Sequence, residues 1–201
     1  VKLYYKGDKT EGPITPGTDF HGFGNEIRTD LIPLIPRKQN SKVLDVGTGF
    51  GSTAIFLAKN LPKGSKIWTI DPSGEILEDV KKKFLQEGLD SQIPIQFVQA
   101  SAAKLDFQND FFDAVISVMV LHHVEDLRAA LKELVRVLSR GGRLLIVDYL
   151  PRAGKDLEFQ RRHHSSDFFE PEDVTKIIQE VGGSNVKIDR AEMWYLVNAT
   201  K

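Results

Sequence analysis

Three glycines in five positions, Gly47, Gly49 and Gly51, follow the short run Val43–Val46 in the stretch VLDVGTGFG. Glycines placed behind a buried strand let the backbone turn tightly and let a ligand approach with no Cβ in the way. The next apolar run, IWTID, ends on Asp71, where a carboxylate can accept hydrogen bonds from both hydroxyls of a ribose. Turn and acid together read as an adenosine site. A Walker A loop ends in Gly-Lys-Ser/Thr, and Gly51-Ser52-Thr53 has no lysine, which argues against ATP hydrolysis. A dinucleotide fingerprint spaces its glycines G-x-G-x-x-G, whereas these read G-T-G-F-G with Asp45 two residues ahead. A pyrophosphate is a poor guest beside that carboxylate. A cationic ligand part, such as the ammonium of an amino acid, suits Asp45 better.

The histidines are the second group able to do chemistry. His122 and His123, in SVMVLHHVED, are candidates for a general base or for orienting an acceptor, since neutral imidazole takes a proton near pH 7. Their apolar neighbours equally suit a loop anchor. His163 and His164 stand in the polar stretch QRRHHSSDFF, where Arg161 and Arg162 offer charge to an anionic acceptor or a solvated basic loop. His21, Phe20 and Phe23 lie among glycines in TDFHGFGNE, a composition that fits a hinged lid over a pocket or plain core anchors. Neither histidine pair has the i, i+4 spacing of a recognisable zinc site, so no metal is expected.

These residues need elements to hold them. From Lys42 onward, strand-like runs (KVLDV, KIWTI, PIQFVQ, DAVISV, GRLLIVDYL) alternate with helical patterns at Ser52 to Leu61, Ser73 to Gln86 and Asp126 to Leu138. Such alternation predicts βαβ units and a mostly parallel sheet covered on both faces. Leu127, Leu131, Leu134, Val135 and Leu138 line one face of the third helix, with Asp126 as its cap and Gly141-Gly142 as its stop. A last helix starts at EPED with Pro171 in its first turn, buries Val174, Ile177, Ile178 and Val181, and ends at Gly182-Gly183. NVKIDRAE and MWYLVNAT follow with a short connection, which calls for an antiparallel pair, and Trp194 and Tyr195 should pack on opposite faces. Residues 1–40 are rich in Gly, Pro and Thr without sustained period and read as an arm or lid, with a helix around Asn25 to Ile35. One domain over 1–201 is the expectation.

Composition narrows the chemistry. A chain of 201 residues with 41% hydrophobic and 27% charged residues is expected to fold around a full core. No run of 18 apolar residues or signal peptide is apparent, so a cytoplasmic location is expected. A net charge of −1 lacks the basic footprint of a nucleic-acid binder. Zero cysteines exclude disulfides, thiolate zinc sites and cysteine nucleophiles, including cytosine C5 methylation.

VLDVGTGFG, IDPS and FFDAVISVMVLHHVEDLRAALKELVRVLSRGGRLLIVDYLP together resemble class I S-adenosylmethionine-dependent methyltransferases, and most of all the ubiquinone/menaquinone-biosynthesis branch. The resemblance spans roughly Lys42 to Gly183. It implies a Rossmann-like, doubly wound α/β fold with a seven-stranded, mostly parallel sheet whose last strand is antiparallel. It implies S-adenosylmethionine as cofactor and S-adenosylhomocysteine as product. Asp45 and the turn Gly47, Thr48, Gly49 and Gly51 would lie near the methionine end, Asp71 on the ribose, and Pro72 or Ser73 beside the adenine, with Ser117 completing the cofactor set. The family commonly reads Gly-Asp-Ala where this chain has Ala100-Ser101-Ala102, so Ser101, with the backbone of Ala102, would replace the aspartate that holds the adenine amino group. His163 and His164 would fall in the acceptor-cap region.

The implied reaction is an in-line displacement at the sulfonium methyl, to which alignment alone can supply on the order of 7 to 11 kcal/mol. A base is needed only where the nucleophile must lose a proton. The Asn-Pro-Pro-Tyr-like sequence of exocyclic-amine methylation is replaced by Ser117-Val118-Met119-Val120. A small-molecule acceptor such as a quinone precursor is expected, ahead of a protein lysine or a catalytically silent, adenosylmethionine-binding partner subunit.

Overall fold

The computed structural model describes residues 30–35, 37–89, 93–151 and 168–201. Seven strands, β1 (Lys42–Val46), β2 (Lys66–Asp71), β3 (Ile95–Gln99), β4 (Phe112–Val118), β5 (Leu138–Tyr149), β6 (Ser184–Arg190) and β7 (Trp194–Thr200), form one sheet in the order β3-β2-β1-β4-β5-β7-β6. The pairs β1/β2, β2/β3, β1/β4 and β4/β5 are parallel, while β7 runs antiparallel to both β5 and β6. The expected doubly wound sheet with an antiparallel last strand is therefore the observed one.

Strand alternation sorts the core into two layers. Leu44, Val46, Val115, Leu144, Ile146, Tyr195 and Val197 face one way, against α3 (Leu127–Val137) and α4 (Pro171–Glu180). Val43, Ile67, Ala114, Ile116, Leu145, Val147 and Leu196 face the other way, against α1 (Ser52–Asn60) and α2 (Gly74–Gln86). Trp194 and Tyr195 divide between the layers, as period-2 geometry requires. Burial of each large apolar side chain in these layers is worth about 1.5–3 kcal/mol.

Two boundaries differ from the expectation. Helix α3 begins where expected, with Asp126 accepting from Ala129 N at 2.8 Å, but it ends at Val137, before the glycine pair. The loop ahead of β4 captures its last carbonyls: Asp110 N donates to Arg136 O and Phe111 N to Val137 O. Leu138 already pairs with Phe112 as the first residue of β5. Gly141 (φ +75°) and Gly142 then carry the strand through a register shift, and a Cβ at Gly142 would stand 2.8 Å from both Leu138 Cδ1 and Ser139 O. Near the chain start, only the end of the expected Asn25 to Ile35 helix lies among the described residues: Asp30 and Leu31 are α-helical, and its last turn, Ile32–Leu34, is 3-10. In α4, Val174 and Ile178 are buried, with Ile177 and Val181 partly buried at the edge of that layer.

The chain runs outward from β1 through β2 to β3, then returns to β4 on the other side of β1. The crevice beyond the carboxyl ends of β1 and β4 is thus the topological switch point, where open α/β sheets take ligands.

Candidate active site

The glycine turn fills one wall of that crevice. Gly47, Gly49 and Gly51 all have positive φ (+78°, +49° and +78°). A Cβ at Gly47 would lie 2.4 Å from Val120 Cγ2, and one at Gly51 would lie 2.4 Å from Val80 Cγ1 of α2. Around a Cβ at Gly49 no described residue lies within 4 Å, so among the described residues the middle glycine borders open space. Gly51 is the N-cap of α1, and no side chain caps that helix. Its N-terminal dipole favours an anion such as a carboxylate.

Strand β2 holds the turn from behind. Gly47 N and Thr48 N both donate to Ile70 O at 2.9 Å. Asp71, at the strand end, accepts from Gly49 N (3.2 Å) on Oδ2 and from Ser73 N (2.9 Å) on Oδ1. Each oxygen keeps a further lone-pair direction, which is what a ribose diol requires. Ser73 caps α2 by accepting from Ile76 N, and the exposed Pro72 offers its carbonyl to Gln99 Nε2. Ala100 N donates to Asp71 O, which sets the exposed Ser101 and half-buried Ala102 beside the Asp71 strand end.

Asp45, Thr48, Asp71 and Ser117 of the expected cofactor set are all buried, and the hydroxyls of Thr48 and Ser117 are turned inward. Thr48 is buried with its hydroxyl 2.7 Å from that of Thr69, and Thr69 in turn donates to Asp45 Oδ2 at 2.8 Å. Ser117 is fully buried, and its hydroxyl has no partner among the described residues. The structure therefore does not bring the Ser117 side chain to the surface of the crevice.

The opposite wall is the loop after β4. Met119 adopts φ +57°, costly for a side-chain-bearing residue, and its N–H donates to Val147 O at 2.8 Å. That turn presses Val120 onto Gly47 and sends Leu121–His123 into a single 3-10 turn. His122 is 4% exposed, with Nδ1 2.6 Å from Asp148 Oδ1. Asp148 also accepts from Leu121 N (2.7 Å) and Tyr149 N (2.7 Å). Burial pushes the Asp148 carboxyl up, but the facing imidazole and the backbone donors outweigh it and hold the group below the usual carboxylate range. An ionised carboxylate accepts only, so Nδ1 of His122 is the donor. The His122 ring packs with Phe168 (5.6 Å, stacked), Tyr149 (5.3 Å) and the half-buried His123 (4.0 Å).

Sequence reasoning missed Thr69, Met119 and Asp148. Thr69 carries no local signal: only the β1/β2 register, Asp45 opposite Thr69, sets it beside the acid. His21, Phe23, His163 and His164 lie outside the described residues. Among the described residues, no group of three or more His, Asp or Glu side chains is arranged to hold a metal ion.

The family model described as a methyltransferase domain matches residues 44–146, just over half of the chain. The chain belongs to that methyltransferase family. Its cofactor is S-adenosylmethionine, and the site fits it: open space at Gly49, a paired-acceptor carboxylate at Asp71 and an uncapped helix at Gly51. Among relatives, the chain is 32% identical over 157 residues to the ubiquinone/menaquinone biosynthesis C-methyltransferase UbiE of Geotalea daltonii, covering 74% of this chain and 66% of that protein. It is 31% identical over 131 residues to the demethylmenaquinone methyltransferase of Thermus thermophilus, covering 64% and 57%. The chain thus spans less than two thirds of the length of these relatives. The crystal structure of YcgJ from Bacillus subtilis superposes with a TM-score of 0.75 at 17% identity, covering 88% of this chain and 98% of that one, which shows the shared fold.

Proposed function

We propose that the protein transfers the methyl group of S-adenosylmethionine to a small molecule, with a phenol or hydroquinone ring as the acceptor class. The observation that carries the reading is the doubly tied Asp71, which joins the glycine turn to the start of α2 at the switch point. The acceptor class is supported by the quinone-pathway names of the relatives.

Bound S-adenosylmethionine supplies an electrophilic methyl on a sulfonium, needing no further activation. Asp71 holds the ribose, Asp45 faces the ammonium, and the α1 N-terminus faces the carboxylate. Ser101 and the Ala102 backbone receive the adenine edge, beside Pro72 and Ser73. On the acceptor side, the half-buried His123 takes the phenolic proton or orients the ring, and the buried His122, its Nδ1 hydrogen held by Asp148, fixes that turn from inside.

Calorimetry with S-adenosylhomocysteine tests the donor site. Asp71→Ala is expected to weaken binding by roughly 1–3 kcal/mol, the scale of lost charge-assisted hydrogen bonds. Unchanged affinity overturns the ribose assignment. Methyl transfer from labelled donor into small-molecule, protein and RNA fractions of an extract tests the acceptor class, and label entering protein or RNA overturns it.

A further inference from the structure

We propose that Thr69 is a positioning residue for cofactor binding: its hydroxyl relays the set of the glycine turn to the carboxylate of Asp45. The proposal rests on the reading of Asp45 as the acid that faces the amino-acid end of S-adenosylmethionine.

Asp45 and Thr69 are direct partners in the parallel β1/β2 ladder, and both are buried. The direction of the relay follows from the donor inventory. The Asp45 carboxylate only accepts, so Thr69 spends its single hydrogen on Oδ2 at 2.8 Å. The 2.7 Å contact between the hydroxyls of Thr48 and Thr69 must then be donated by Thr48. Thr48 sits between two glycines of positive φ, in the turn that lines the crevice. Its side chain points away from the ligand side and into the sheet, so its part in binding is indirect.

Three consecutive β2 residues therefore set one turn. Thr69 takes the Thr48 hydroxyl, Ile70 O takes two backbone N–H groups, and Asp71 Oδ2 takes Gly49 N. Of these, Thr69 also donates to Asp45, so it ties the acid to the turn. A buried carboxylate free to rotate would have to be ordered when the ligand binds; one already held by a donor is ordered beforehand.

Two probes separate this role from a general one: S-adenosylhomocysteine, and 5′-methylthioadenosine, which keeps the adenosine and the thioether but lacks the amino-acid end. Thr69→Val preserves shape and removes the relay. It is expected to lower S-adenosylhomocysteine affinity about five- to tenfold, the scale of one net hydrogen bond, while changing methylthioadenosine affinity less than about twofold. Thr69→Ser keeps the hydroxyl and should recover most of the loss. Thr69→Val binding S-adenosylhomocysteine like wild type while Asp45→Asn does not would overturn the relay and leave the Asp45 reading standing. Wild-type binding by both variants overturns both. An equal loss for the two probes makes Thr69 a purely structural residue and also overturns the proposal. Should Thr69→Val not fold, Thr48→Val cuts the same relay from the turn side, and unchanged S-adenosylhomocysteine affinity in that variant counts against it equally.

Discussion

Gly47 and Val120 form the contact between the two walls of the crevice, and a double-mutant cycle on them has a magnitude that can be worked in advance. Gly47 has φ +78°, which costs an L residue roughly 1–2 kcal/mol. A methyl group there would also stand 2.4 Å and 2.9 Å from the two Val120 Cγ atoms, an overlap that relaxes at about 1–3 kcal/mol in a packed site. Gly47→Ala should therefore cost about 2–5 kcal/mol. Replacing Val120 by Ala removes both Cγ atoms and leaves Cβ at 3.2 Å, a tight but tolerable distance. In that background Gly47→Ala should cost only the backbone component, about 1–2 kcal/mol, so the coupling energy is about 1–3 kcal/mol.

Urea unfolding of the four proteins reads this directly. A Gly47→Ala cost below about 1 kcal/mol, or one that Val120→Ala does not relieve, refutes the reasoning. Gly49→Ala is the internal control. No described residue lies within 4 Å of its Cβ, so it should show the φ cost alone in stability, about 1–2 kcal/mol. Its methyl group would enter the open space of the crevice, so S-adenosylhomocysteine affinity should fall more than stability does.

Two further outcomes concern the titratable groups behind the site. Asp148, held below the usual carboxylate range, contributes stability that is present above its unfolded value of about 3.8 and is lost as pH falls through its folded value. Asp148→Asn should therefore cost about 1–3 kcal/mol at pH 7, the scale of buried donors left poorly paired, and its deficit against wild type should shrink as urea midpoints are followed into acid; a constant deficit refutes the assignment. Tyr195 has a buried hydroxyl with no partner among the described residues, and burial, with Asp148 and Glu170 nearby, pushes its phenol up. The unfolded chain then releases that proton first, so stability declines as pH rises past about 10, the ordinary tyrosine value. Tyr195→Phe should be neutral to about 1 kcal/mol stabilising at pH 7 and should lack that alkaline decline; a loss above about 1 kcal/mol at pH 7 means the hydroxyl is satisfied in solution.

The parts of this molecule that were legible are those whose signals are local. The glycine turn, Asp71 at a strand end, Asp126 as a cap and the alternation within each strand depend on residues a few positions apart, and the structure has each of them. What escaped depends on partners far along the chain. Thr69 looks like an ordinary strand threonine until the β1/β2 register sets it against Asp45. Asp148 looks like an interruption in LLIVDYL until β5 lies beside β4 and meets the His122 turn, 26 residues earlier in sequence. Met119 has no glycine signature for its positive φ, because the cost is borne by the bond to Val147 O. Helix α3 ends within one residue of the expected Leu138, but its stop is not the glycine pair: the 110–111 loop takes the last carbonyls.

The two walls of the crevice are thus set by different neighbours. Strand β2 fixes the donor side through Thr69, Ile70 and Asp71. Strand β5 fixes the opposite wall, proposed above as the acceptor side, through Val147 O and Asp148, which together hold Met119, Leu121 and His122. Breaking a β2 tie should disturb donor affinity and leave the His122 turn in place. Breaking Asp148 should do the reverse, so Asp148→Asn should bind S-adenosylhomocysteine like wild type while losing methyl transfer. Gly47→Ala acts where the walls meet, and it should weaken both; if it affects donor affinity alone, Val120 yields without moving the histidine turn, and the two walls are mechanically independent.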